Sequence, residues 1–244
     1  MKKTPVFTAL LLILLTSAQA QKDFRISAAL QGLPDSTLII LKNLYEPAEE
    51  DYAVVLKNRF SIVRSIKEGS LYQLSAGSSN SEDNLLWIYI HPGSEITITG
   101  ETAIFKEAKI TGSQEVVEWL RFYTSFEKDT VLGNWHKFMV ETIIAHQGAY
   151  GDTAALNKLK PAKEKVLGMA QKILNDWFNA HPTSTVNGYV VEQLIYNLLL
   201  FQMGTTTEQV ETYLNKLTPE ARNNMIVKKM IRDLPKLKKS MNKS

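Results

Sequence analysis

The hydrophobic period of this chain changes once, at Gly112-Ser113. Before that point apolar residues recur at every second position, and after it at every third and fourth. A strand buries one face at the first period and a helix one stripe at the second, so strands must come first and helices after them. The expected fold is therefore α+β. An N-terminal antiparallel β-sandwich or open barrel occupies residues 21–112, and an all-helical domain occupies 113–234. Residues 1–20 precede the sandwich and a basic tail, 235–244, follows the helices.

Within the first half, Phe24 to Leu30 puts Phe24, Ile26, Ala28 and Leu30 on one face. Leu38 to Leu41 is a short apolar run. Tyr52 to Leu56 and Phe60 to Val63 are expected to form a hairpin about Lys57-Asn58-Arg59. Leu71 to Leu74, Leu85 to Ile90 and Ile96 to Thr99 complete a series of short strands separated by turn residues, the spacing of a sandwich. In the second half, Ser113 reads as the N-cap of a first helix that Gly133-Asn134 breaks. A second helix is expected over 135–146. A third starts at Asp152, is kinked or divided at Pro161, and runs to about Ala180. A fourth covers 184–201. Thr205 and Glu208 have capping-box spacing before a fifth, and Thr218-Pro219 opens a sixth that Pro235 ends.

Met1 to Ala20 has the three parts of a secretory signal peptide: Lys2 and Lys3, the apolar stretch Val6 to Leu15, and the small-x-small site Ala18-Gln19-Ala20. Its apolar stretch is too short to span ~30 Å of hydrocarbon. The mature chain is expected to start at Gln21 and to reside in the periplasm or the medium. The most apolar later stretch, Tyr189 to Met203, carries Glu192, Gln193, Asn197 and Gln202, so it is expected as a buried helix with no membrane span.

The chain contains no cysteine. That excludes disulfide exchange, a thiol nucleophile, a thiolate zinc site, an iron–sulfur cluster and the acylated cysteine of a lipoprotein. Charge is unevenly placed. Residues 228–244 hold seven cations against Asp233, a net +6, which leaves residues 21–227 at −5. Such a run can touch anionic lipid or an acidic partner. It is expected as a solvated terminus, because it is read as lacking the apolar face of an interfacial helix. A nearly neutral exported chain is not expected to bind nucleic acid.

No motif assigns a catalytic residue, a metal or a cofactor. His91, His136, His146 and His181 have no HExxH or comparable spacing. Ser75 to Ser81 reads as a loop, and no GxSxG elbow is present. Glu46, Glu49, Glu50 and Asp51, and again Glu82-Asp83, read as solvated loop charge. No GxxxxGK[ST] or GxGxxG supports nucleotide binding. His91, beside a Pro-Gly turn, is the first residue to test for a hydrolase. The aromatic stripe Trp119, Phe122, Tyr123 and Phe126 places four rings on one helix face. Such a face packs in the core, or lines an apolar groove for a partner or ligand.

Several segments together resemble a known arrangement. FRISAALQGLPDSTLIIL (24–41), the Arg59-Phe60 pair, SLYQL (70–74), IHPGSEITITG (90–100) and ITGS (110–113) are similar to the domain of unknown function that precedes the thioredoxin domain in TlpA/ResA-like envelope thiol–disulfide oxidoreductases. NDWFNAHPTSTVNGYVVEQL (175–194) and LNKLTPEARNN (214–224) are similar to the helices between the two. In that family a CxxC-bearing thioredoxin domain follows. No catalytic residue carries over, because the segment that holds them is not matched here. The resemblance implies a non-catalytic accessory whose thioredoxin-fold partner is another chain.

Overall fold

The computed structural model describes residues 22–46, 48–77, 84–128 and 130–241. The segment read as a signal peptide, Glu82-Asp83 and most of the serine-rich loop lie outside the described residues. Eight strands form two sheets: β1 (Lys22–Leu30), β2 (Leu38–Asn43), β3 (Glu50–Val54), β4 (Arg59–Ile66), β5 (Ser70–Ala76), β6 (Leu85–Ile90), β7 (Glu95–Gly100) and β8 (Lys109–Thr111). One sheet has the order β4-β1-β7-β8 and the other β3-β2-β5-β6. Pairing is antiparallel except between β1 and β7, which run parallel, with Ile26 opposite Ile96 and Ala28 opposite Ile98. The two sheets do not close into a barrel, so the fold is α+β with an open sandwich.

Alternation explains the sandwich core. Phe24, Ile26 and Leu30 of β1, Ile96 and Ile98 of β7, and Phe60 and Ile62 of β4 turn inward from one sheet. Ile39, Leu41, Tyr72, Leu74, Leu86, Ile88 and Ile90 meet them from the other. The second sheet is buried on its far side too. Leu71 and Tyr89 point the opposite way and belong to the helical core. The molecule is thus three layers deep, with the β3-β2-β5-β6 sheet in the middle. This is why β5 is buried at almost every position rather than at every second one.

The helices are α1 (Gln114–Lys128), α2 (Thr130–Gly148), α3 (Thr153–Lys158), α4 (Lys160–Ala180), α5 over 187–200, α6 (Thr207–Leu214), α7 (Pro219–Arg222) and α8 (Met225–Met241). In α5 the α-helical pieces Asn187–Val191 and Asn197–Leu200 flank a π-helical turn, Glu192–Tyr196. The Asp152 carboxylate caps α3 by accepting from the Ala154 and Ala155 amides. α3 and α4 divide at Leu159, beside Pro161, which occupies the first turn of α4. Among the described residues no helix is long and apolar enough to cross a membrane.

Several local expectations are corrected. Leu56 and Arg59 do close a tight turn over Lys57 and Asn58, both with positive φ. However, β3 pairs with β2 and β4 with β1, so the turn carries the chain from one sheet to the other instead of joining a hairpin. Gly133 lies inside α2, which starts earlier than expected; a Cβ there would stand 3.0 Å from the Phe126 carbonyl oxygen, so glycine serves the close approach of α1 and α2. The capping box of α6 is Thr206 with Gln209, one residue beyond the expected pair. The helix opened by Thr218 is the single turn α7. Its successor α8 runs through Pro235, which is exposed, as is Ile231, whose carbonyl loses an amide partner to the proline. The basic segment is therefore helical up to Met241, and Met230 and Leu234 give it the apolar face the sequence reading denied it.

Candidate functional site

Three places combine polar chemistry with access or burial. The first is a groove where the sandwich stays open. β6 and β8 are edge strands of different sheets, and α1 crosses the gap between them. Leu86 and Trp87 of β6, Ile110 of β8, and Leu120 and Tyr123 of α1 line a cavity of about 650 Å³, to which Lys106, Glu107 and Thr124 add polar groups. That volume falls in the range of small-molecule and peptide sites. The Trp87 and Tyr123 rings stack at 6.0 Å and 10°, and Tyr123 stacks in turn on Trp119 at 6.0 Å. Trp119 Nε1 donates to the Trp87 carbonyl oxygen at 3.1 Å, which ties α1 to the β6 edge.

The expected aromatic face is thereby divided. Trp119 and Phe122 are buried in the helical core, where Phe122 meets Trp177 edge-on at 5.1 Å. Phe126 is half-buried against Phe122 and Trp135. Of the four, Tyr123 lines the groove. Trp87 was missed as a site residue. Its only signal was a place in the alternation of β6, which cannot say that the far face of a strand borders a groove.

The second place surrounds His91, which leaves β6 and faces the start of α1. Its Nδ1 lies 3.0 Å from the Pro92 carbonyl oxygen, which can only accept, so Nδ1 carries a proton. Nε2 lies 2.9 Å from Ser113 Oγ and 3.3 Å from Glu115 Oε2. Burial pushes the Glu115 carboxyl up, but its own backbone amide, Ser113 and His91 outweigh that and hold it below the usual carboxylate value. A polar cavity of about 240 Å³ adjoins, lined by His91, Glu115, Tyr89, Asn224 and Glu220 among others. Ser113 was read only as a helix N-cap, and His91 alone as a candidate. The structure brings both together with Glu115.

The third place is a pair of buried acids. Glu118 of α1 accepts from Ser184 Oγ and from Gln114 Nε2 (2.8 Å), with His181 Nδ1 at 3.8 Å and the His181 ring on Trp177 at 4.2 Å. Glu192 sits in the π-helical turn and accepts from Tyr45 Oη at 2.6 Å and from Gln193 Nε2 at 3.1 Å. Burial raises the Glu192 carboxyl above its usual value, against the lowering effect of Tyr45, Gln193 and Lys229. Burial and the facing carboxylate raise the Tyr45 phenol as well. Glu192 ties the helices to the sheet layer through the loop after β2, whereas Glu118 joins α1 to the turn before α5 within the helical layer. A lone acid in an apolar run was the one sign of Glu192.

The remaining histidines stay apart. His136 is exposed against Phe126, and His146 keeps a buried Nδ1 without a hydrogen bond, its pKa lowered by burial and by Lys163. Among the described residues no three His, Asp or Glu side chains converge as a metal site. Arg64 bridges Asp51 at 2.8 Å and Glu49 at 3.5 Å, and Lys42 meets Glu50 at 3.1 Å, so three of the four acids in the cluster Glu46, Glu49, Glu50 and Asp51 have a cation partner.

No protein-family model matches the chain, and no curated protein matches it.

Proposed function

We propose that this chain is a non-catalytic, exported binding protein that holds an apolar segment of a partner in the groove between β6, β8 and α1. The observation that carries the reading is the groove itself. It combines stacked Trp87 and Tyr123, three aliphatic side chains, and two sheet edges beside it. Edge strands and apolar side-chain pockets are the elements by which sheets take up extended peptides. The resemblance to thioredoxin-linked envelope proteins makes a thioredoxin-fold redox protein the proposed partner. A free apolar ligand or peptide carried in the same groove is the alternative occupant.

The test is a photoreactive amino acid at Leu120, expressed with the native leader, and mass spectrometry of the cross-linked envelope fraction. Recovery of a CxxC-bearing thioredoxin-fold protein, abolished by Trp87→Glu, is the expected result. A cross-link to an unrelated apolar peptide selects the carrier reading. No cross-link from the groove, with the protein folded and exported, rejects both.

A second reading, a hydrolase, rests on the Ser113–His91 contact. Nε2 is placed to take the Ser113 proton while Pro92 fixes the tautomer, as in a nucleophile–base pair. Glu115 competes for the same nitrogen, and Ser113 stands at a helix start, so a clamp between β6 and α1 accounts for the same geometry. Hydrolysis of activated esters by the purified chain, lost in both Ser113→Ala and His91→Ala, would favour the enzyme.

A further inference from the structure

We propose that the outward face of α8 is a docking surface for an anionic phospholipid bilayer. The helix is held by its other side: Ile226, Val227, Met230 and Leu234 are buried. At 100° per residue, Lys229, Arg232, Lys236 and Lys239 fall on the opposite face as one stripe, and all four are exposed. Lys228 and Lys238 flank it, paired with Glu68 and Glu208 respectively. The acid of the helix itself is Asp233, which meets Arg232 at 3.2 Å and Lys236 at 3.5 Å. Lys229 lies 5.9 Å over the Tyr45 ring and is near enough to Glu192 to lower that carboxyl, so part of its field is directed to the protein.

Three features make a membrane the occupant. The 17 residues of α8 extend roughly 25 Å at 1.5 Å per residue, a straight row and not a pocket, and the cavities described above lie elsewhere. The row is pre-ordered by the core, so docking costs no helix formation. Its charge opposes that of the rest of the mature chain, −5 over residues 21–227, so an anionic plane attracts this face and repels the remainder. Exposed Ile231 stands at one edge of the stripe, beside Lys228 and Lys238, and can touch the headgroup layer. The apolar stripe is already used in the core, so the helix lies on the bilayer and does not insert into it. This surface is separate from the groove, and the proposal stands without it.

The experiment is co-sedimentation of the purified chain with vesicles of phosphatidylcholine alone and of phosphatidylcholine mixed with phosphatidylglycerol. Binding is expected to the mixed vesicles only. Each basic residue near an anionic surface contributes roughly a fivefold gain in partitioning, so the triple variant Lys229→Gln/Lys236→Gln/Lys239→Gln should bind roughly a hundredfold more weakly. Raising salt from about 0.05 M to about 0.5 M should release the wild type, because the field collapses to a few ångströms. A control with the same charge change elsewhere, Lys109→Gln/Lys137→Gln/Lys160→Gln, should bind like the wild type. Circular dichroism confirms that both variants fold. The proposal is overturned by a wild type that ignores the mixed vesicles, by equal loss in the control, or by an unaffected stripe variant. It is equally overturned if the wild type ignores vesicles but is retained by a soluble polyanion, which would make the partner an acidic macromolecule.

Discussion

At the residue scale the buried acids decide most. Glu192 is shut away in a π-helical turn with Tyr45 as the partner that crosses from the sandwich half of the chain. Removing that phenol leaves a buried carboxyl short of a donor, so Tyr45→Phe is expected to cost about 1.5–3 kcal/mol in chemical denaturation. The pH dependence follows from the raised carboxyl. A group whose pKa is higher folded than unfolded stabilises the fold below the unfolded value, and loses that contribution as pH rises through the folded one. Glu192→Gln keeps an acceptor for Tyr45 and abolishes the titration. Its melting temperature should therefore gain on the wild type as pH rises above the ordinary glutamate value; a constant gap between the two would show that Glu192 is not the group responsible. None of this was legible beforehand. The sequence displayed Glu192 as an acid in an apolar stretch, but Tyr45 lies 147 positions away.

Elements carry their own tests. α5 and α8 are in close contact at Gly188, where an added Cβ would collide with Val227 Cγ2. Gly188→Ala favours the helix by about 1 kcal/mol in isolation. Here overpacking is expected to outweigh this, for a net loss of about 1–2 kcal/mol, and Gly188→Ala/Val227→Ala should be less harmful than the sum of its parts. A glycine so placed looks, in sequence, like any helix-weakening glycine, and only the crossing gives it a reason. α6 and α8 are joined at Glu208, whose carboxyl is held at about 2 by Lys238, its own backbone amide and Thr206. A lowered carboxyl stabilises the fold above its unfolded value and loses that contribution as pH falls toward the folded one. Glu208→Gln should be the less stable protein at neutrality and should flatten the acid limb of the stability curve below about pH 4.5, the two curves converging as pH falls toward the folded value. Equal acid limbs in the two proteins would remove Glu208 from the account.

For the whole molecule, the middle layer matters most. The helical core includes Leu71 and Tyr89 from the β3-β2-β5-β6 sheet, and Tyr89 Oη donates to Asn224 at 3.0 Å while Tyr189 Oη donates to the Gly69 carbonyl at 3.0 Å. Sandwich and helices therefore share an apolar interface closed by buried hydrogen bonds, and calorimetry should record one transition rather than two. Tyr89→Ala should lower that single transition by about 3–5 kcal/mol. Two resolved transitions, with one unmoved by Tyr89→Ala, would show that the layers unfold independently.

The sequence by itself determined the order of elements, the switch of period at Gly112-Ser113, and the inward residues of β1, β4 and β7, because those follow from side-chain direction along a single strand or helix. It also determined the cap at Thr218, where a side chain meets an amide three residues on. Tertiary structure alone decided that β3 and β4 belong to different sheets, that β1 and β7 pair in parallel, and that β5 is covered on both faces. It likewise divided the aromatic stripe between core and groove, set His91 against Ser113 and Glu115, and let α8 run through Pro235 with its cations outward. The physical reason is one of range. Period and capping depend on neighbours within a turn or two, whereas register, close approach and the partners of a buried charge depend on which distant segment fills the space opposite.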